Sequence, residues 1–408
     1  MGKNLLELNQ TVTNFKQSVI NPKDIVEISR LPNESISYSE FYSNYMQNNI
    51  PVIFTNVSNE WECRRNWIAI NLENKYDLNI DYLKQHIGRV RVPVVDCSKK
   101  YFNSHEKFEM DFFEYLEYWS SRTNSLNIKC LYLKDWHLKS QMPYYNFYRT
   151  PEYFASDWLN QYLIDKEKDD YRFVYIGPQG SWTPFHSDVF QSYSWSTNIF
   201  GMKKWILLPP GEELKLQDGL GNLPFEIDEN LLTQRNCKYF TIIQNENEAI
   251  FVPSGWYHQV WNITDTISIN HNWFNSSNIE KIWFSLSENM KKVIKEIQDC
   301  VTMDDFKEHC QLMLQASFGM NYFDFLDLLE YIEKKSLNAV FFRDENNHNA
   351  ITFDSYKLNS QHFYIDLRSI RHVVKLMKLD PIIREDMEFL NRCLHLENET
   401  HLFDGVVE

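Results

Sequence analysis

Among the twelve histidines of this 408-residue chain, one stands two positions before an aspartate, in His186-Ser187-Asp188. Residues i and i+2 of a β-strand point to one side, so at this spacing an imidazole and a carboxylate converge without distorting the backbone. A second imidazole, His258, lies within Val252-Pro253-Ser254-Gly255-Trp256-Tyr257-His258-Gln259-Val260, where another strand-like run begins. Two histidines and one carboxylate on one face leave other positions of a bound metal open, the facial arrangement that suits non-haem Fe(II) and O2 chemistry. By itself H-x-D is more often a surface histidine and a solvated aspartate than a metal site. What distinguishes this one is its surroundings: Thr183-Pro184-Phe185 before it, Gly201-Met202-Lys203-Lys204-Trp205 after it, and the Pro-Ser-Gly-Trp-Tyr-His run at His258.

The elements that must position these side chains are written in the same stretch. Between Tyr171 and Phe274, strand-like runs broken by Gly, Pro and Asn follow closely: Tyr171–Gly177, Pro184–Asp188, Tyr193–Phe200, Lys203–Leu208, Tyr239–Gln244, Ala249–Val252, His258–Asn262 and Ile267–Phe274. Many short strands with turns between them predict a sandwich, jelly roll or barrel. Upstream, helical patterns at Ser37–Gln47 and Met110–Trp119 mix with β-runs at Pro51–Phe54, Val90–Val95 and Cys130–Leu133. Downstream, Leu286, Met290, Val293 and Ile297 recur at helical spacing, and helices are predicted over Phe323–Lys334, Ile365–Leu379 and Ile382–Leu394, the last two broken at Asp380-Pro381. The expected fold class is α+β: an N-terminal elaboration over 1–165, a β core over 166–276, and a helical region over 277–408 docked on that core.

Composition narrows the function classes. A net charge of −15 from 41 Lys+Arg and 56 Asp+Glu, with no long basic run, is the wrong sign for neutralising phosphates, so no nucleic-acid partner is expected. Seven scattered cysteines without a C-x-x-C pair read as reduced thiols, which places the protein in the cytoplasm, with the nucleus as the alternative. No run approaches the roughly 20 apolar residues of a membrane span, and Met1–Gln10 lacks the apolar core of a signal peptide. No membrane partner is expected.

These motifs together resemble the Jumonji-C family, the double-stranded β-helix oxygenases that use Fe(II) and 2-oxoglutarate. The resemblance is carried by Tyr171–Pro178, Gly180–Asp188, Ser194–Ser196 and Asp265–Trp273, and more loosely by Pro51–Phe54, Trp61 and Trp67. It implies that His186, Asp188 and His258 hold Fe(II), leaving sites for 2-oxoglutarate and O2, with ascorbate as reductant. It further implies Lys203 as the cation for the far carboxylate of 2-oxoglutarate, Thr183 and Tyr132 as its hydroxyl partners, and Asn270 and Asn272 as neighbours of the metal and the inner carboxylate. Tyr175 and Val260 are expected to line the same pocket. Lys204 competes with Lys203, but strand alternation puts the two on opposite faces. His271 alternates away from Asn270 and Asn272 and is expected to be structural. Where relatives often carry Asn, this chain has Ser194 and Ser196, so no amide contact is expected there.

The resemblance also implies a protein substrate. Its strongest form is to family members that hydroxylate lysine at C4 in the stop-codon-decoding domain of the eukaryotic class-1 peptide-chain release factor, which makes that factor the expected partner. Rival readings are a histone N-methyl-lysine demethylase, though no Cys/His cluster is available to build a zinc reader module, and a catalytically silent cupin-like scaffold. The C-terminal helices are expected to form either a homodimer interface or a buttress for the β core.

Overall fold

The computed structural model describes residues 5–6, 21–71, 74–102, 104–122, 129–341, 352–353, 356–358 and 360–401; apart from Leu5–Leu6, the Met1–Gln10 segment read above lies outside them. In chain order the strands that matter are β1 (Ser29–Pro32), β2 (Val52–Thr55), β3 (Arg91–Tyr101), β4 (Ser104–Asp111), β5 (Leu131–Trp136), β6 (Arg172–Gly177), β7 (Trp182–His186), β8 (Tyr193–Phe200), β9 (Lys203–Leu208), β10 (Phe240–Gln244), β11 (Glu248–Val252), β12 (Tyr257–Asn262) and β13 (Thr266–Trp273). Nine of them form one sheet in the order β1-β2-β11-β8-β13-β6-β5-β3-β4, and four form a second in the order β7-β12-β9-β10. All these pairings are antiparallel except β1 with β2. The result is the expected α+β class with a cupin-like β core, and the larger sheet draws strands from both the first 165 residues and the segment after them.

The larger sheet reverses the usual distribution of polarity at its centre. Its inward residues include Ser194, Ser196, Asn270 and Asn272, whereas the alternating outward residues Tyr193, Trp195, Ile269 and Trp273 enter the main hydrophobic core. That outward face is covered by residues of the N-terminal part, with Phe154 at the centre: its ring stacks on Trp195 at 5.4 Å and lies 5.7 Å from Phe41, 6.3 Å from Phe251 and 5.9 Å from Trp273.

The helical region follows the sequence pattern closely: Ile279–Glu296, Phe306–Phe318, Tyr322–Phe341, Ser360–Met377 and Met387–His401 are helices, and Asp380 caps the short turn that begins at Pro381 by accepting from the Ile382 N–H. Their apolar stripes share a second core with Trp158, Leu159 and Tyr162 of the Trp158–Asp165 helix and with Phe190, which follows the H-x-D segment. Among the described residues no helix is long and apolar enough to cross a membrane, and all seven cysteines are free.

Burial of the Phe154 ring in an aromatic cluster predicts that Phe154→Ala lowers the free energy of unfolding by about 3–5 kcal/mol. Urea unfolding measures it; a change below about 0.5 kcal/mol, the range of an ordinary surface substitution, would contradict this account of the core.

Candidate active site

His186 ends β7 and His258 is the second residue of β12, and the two are cross-strand partners with ring centroids 4.4 Å apart. Each ring is fixed by its own strand. His186 Nδ1–H donates to the Pro184 carbonyl at 2.8 Å, and His258 Nδ1–H donates to the Trp256 carbonyl at 2.9 Å. A carbonyl only accepts, so Nδ1 carries a proton in each ring, and Nε2 is the nitrogen that faces the site as the ligand atom. Burial, reinforced by the neighbouring His258, holds the His186 imidazole well below its ordinary pKa and so neutral.

Asp188 departs from the strand reading. The strand stops at His186, and Asp188 is the extended residue (φ −64°, ψ 149°) that enters a tight turn in which Phe190 and Gln191 take positive φ. Its position therefore comes from the larger sheet rather than from alternation along β7. Ser194 Oγ donates to Asp188 Oδ2 at 2.7 Å, and Asn272 Nδ2 donates to Oδ1 at 2.9 Å. The candidate ligand atoms of His186, Asp188 and His258 lie within 4.8 Å of one another. Two imidazoles and one carboxylate, each oriented by an outer hydrogen bond, fit Fe(II).

A cavity of about 60 Å³ beside this triad is lined by all ten residues singled out from the sequence: His186, Asp188, His258, Lys203, Thr183, Tyr132, Asn270, Asn272, Tyr175 and Val260. Lys203 is 2 % exposed, its Nζ donates to Ser268 Oγ at 2.7 Å, and it makes no ion pair among the described residues. Burial, with the Lys134 charge nearby, pushes its ammonium down to about 7. Lys204 points outward and pairs with Glu229 at 2.9 Å. Two further buried polar atoms facing the cavity, Ser196 Oγ and Asn270 Oδ1, have no hydrogen-bond partner. A cation without a counter-ion and orphaned polar groups fit a small dicarboxylate such as 2-oxoglutarate, since buried polar groups left unpaired are costly. His271, by contrast, is fully buried and bonded to the Tyr148 hydroxyl at 2.7 Å, away from the cavity.

Sequence reasoning missed several residues. Ser194 and Ser196 were noted only as a departure from relatives, yet Ser194 itself holds Asp188. Ser268, the Lys203 partner, could have been found by stepping two residues back from Asn270 along the same strand face. Lys134 and Trp205 also line the cavity; Lys134 belongs to no motif, and Trp205 was quoted with the Gly201 run without being given a role.

The two outer bonds to Asp188 predict that Ser194→Ala and Asn272→Ala each weaken Mn(II) or Fe(II) affinity by about 10–100-fold, read by metal titration; unchanged affinity in both would contradict their role. For Lys203 the sign follows from its depressed value. Below pH 7 the free protein already carries the ammonium; above it, a bound carboxylate must draw in a proton. The affinity for 2-oxoglutarate therefore falls as pH rises from 7 to 9, with proton uptake detectable by calorimetry in buffers of different ionisation enthalpy. A pH-independent affinity over that range would contradict the assignment.

The chain is similar to known proteins. The model of the JmjC domain, described as a hydroxylase, matches residues 173–273. The Drosophila melanogaster protein named 2-oxoglutarate and iron-dependent oxygenase JMJD4 homolog is 48% identical over 92% of this chain and 95% of its own length. The Danio rerio 2-oxoglutarate and iron-dependent oxygenase JMJD4 is 40% identical over 85% of this chain and 86% of its own. An Arabidopsis thaliana protein named arginine-specific demethylase JMJ20 is 38% identical over 74% of this chain and 69% of its own. The chain belongs to the JMJD4 group of the JmjC family of 2-oxoglutarate- and iron-dependent oxygenases.

Proposed function

We propose that this oxygenase is a protein lysyl hydroxylase whose substrate is the decoding-domain lysine of the eukaryotic class-1 peptide-chain release factor, hydroxylated at C4 in the cytoplasm, where translation terminates. The observation that carries the oxygenase part is the convergence of a two-histidine, one-carboxylate triad and a counter-ion-free lysine on one cavity. His186, Asp188 and His258 would hold Fe(II), and Lys203, Thr183 and Tyr132 would hold the far carboxylate of 2-oxoglutarate. Together these cofactors supply oxidative decarboxylation of 2-oxoglutarate to succinate, coupled to insertion of one oxygen atom of O2 into a substrate C–H bond, with ascorbate as reductant.

The protein's own residues do the positioning. The Pro184 and Trp256 carbonyls keep both imidazoles in the ligating tautomer, and Ser194 and Asn272 aim the carboxylate. Trp205 helps wall the cavity from water, which strengthens every electrostatic contact inside it. A second, wider cavity of about 420 Å³ shares His186, Asp188 and Asn272 with the first, giving a side chain of a protein substrate room to reach the triad. The demethylase reading is favoured by the name of the Arabidopsis relative, which is that of an arginine-specific rather than a lysine-specific enzyme.

Intact-mass spectrometry separates the readings. Incubation of recombinant release factor with this protein, Fe(II), 2-oxoglutarate and ascorbate is expected to add one oxygen at the decoding-domain lysine and to leave it unmodified with His186→Ala. Loss of methyl groups from methylated histone peptides, with no oxygen gained by the release factor, would favour demethylation instead.

A further inference from the structure

The wider cavity is shaped by an irregularity in β5. That strand pairs with β6 through Leu133↔Ile176 and Trp136↔Val174, so Lys134 and Asp135 together oppose the single residue Tyr175. In a regular strand two consecutive side chains point to opposite faces; here a bulge, with Asp135 at φ 59°, lets both line the wider cavity. Opposite them, Tyr171, Phe173 and Tyr175 form a row of rings along one face of β6, with centroids 6.0 and 6.3 Å apart.

We propose that this cavity seats the substrate residue and selects a lysine-type side chain, with the aliphatic stem against Phe173 and Tyr175 and the ammonium on the Asp135 carboxylate. The inference rests on the lysyl hydroxylase reading and names the residues that would recognise its substrate. Asp135 is held in place by the Tyr175 hydroxyl, which donates to Oδ1 at 2.7 Å, while the one hydrogen bond to Oδ2 among the described residues comes from the solvated ammonium of Lys107 at 3.3 Å, with the Lys134 charge also nearby. Such an exposed ion pair is worth little and yields to a better-desolvated ammonium. The fully buried carboxylate of the cavity, Asp170, is committed to Arg172 at 2.8 Å. Aromatic faces suit both a methylene stem and the cation at its end.

Lys134 gives the site its polarity. It lines both cavities, so its charge flanks the passage from Asp135 to the triad. Like-charge repulsion keeps a substrate ammonium outward, which turns the C–H groups of the stem toward the metal ligands. Removal of an N-methyl group would need the opposite placement, with the charged head innermost.

The test uses the full chain loaded with Mn(II) and two probes that share a four-carbon stem and differ in the terminal ammonium, Nα-acetyl-lysine methylamide and Nα-acetyl-norleucine methylamide. Paramagnetic relaxation of the lysine probe's side-chain protons is expected to exceed that of the norleucine probe at least threefold, and the difference to vanish in Asp135→Asn. Because Asp135 also bonds within the fold, Lys107→Ala provides a second variant. It removes the competing ammonium and is expected to enhance relaxation of the lysine probe. Equal relaxation of the two probes, or a lysine preference that survives Asp135→Asn and is not raised by Lys107→Ala, would overturn the site. With the release factor itself, the KM of Asp135→Asn is expected to rise at least tenfold. Wild-type protein that discriminates the probes but adds no oxygen to the release factor would remove that substrate and leave the site standing. Protein that adds oxygen without discriminating would keep the substrate and overturn the site.

Discussion

An ammonium group buried between two β-sheets, with a serine hydroxyl as its partner and no carboxylate among the described residues to neutralise it, governs the interior of this molecule. Lys203 lowers the stability of any arrangement that leaves it unpaired, because desolvating a charge costs several kcal/mol, roughly, even after local relaxation. The fold tolerates it by making the inner face of the larger sheet polar around it, with Ser268, Ser196 and Asn270 in reach of the same cavity. A sheet that is polar inside must find its apolar burial outside. That requirement explains why so much of the chain lies beyond the β core: the aromatic cluster around Phe154 covers one part of the outward face, and a second core joins the C-terminal helices to the Trp158–Asp165 helix and Phe190.

The metal triad depends on the same two-sheet construction. The imidazoles belong to the smaller sheet and take their orientation from its backbone, but Asp188 is aimed by Ser194 and Asn272 of the larger one. The triad therefore has its geometry only when the sheets stand at a fixed separation. Two glycines sit where the chain passes from the larger sheet to the smaller one, Gly177 at the end of β6 before β7 and Gly201 between β8 and β9. A Cβ on Gly177 would meet Asn262, Ser181 and Tyr132 at 2.5 Å, and one on Gly201, at φ +77°, would lie 1.9 Å from the Asp265 carbonyl oxygen. Gly201 makes the turn that carries the chain from one sheet to the other, two residues before Lys203.

Much of this was legible from sequence because it rests on local rules. The alternation that separates Lys203 from Lys204, and Asn270 and Asn272 from His271, is a property of any strand, and the helical spacing after Ser276 marks its own buried face. What escaped the sequence was set by contacts between distant segments. Asp188 was read as a strand residue beside His186, whereas its carboxylate is placed by a serine and an asparagine on two other strands. Ser194 carries no signature, because a serine in a strand is ordinary until the structure shows what its hydroxyl meets. The bulge at Lys134–Asp135 was equally hidden: its cause is the register of β5 against β6, and neither residue is a glycine or proline that would announce it.

The account turns on one cavity holding the metal and the dicarboxylate together, with Lys203 as the counter-ion of the latter. Anaerobic titration of the Fe(II)-loaded protein with 2-oxoglutarate, followed by the visible metal-to-ligand charge-transfer absorption, tests this most directly. The account predicts that the band develops in the wild type, is lost in His258→Ala, and in Lys203→Met develops only at 2-oxoglutarate concentrations at least tenfold higher. A band that grows in at the same concentration in Lys203→Met and wild type would contradict it.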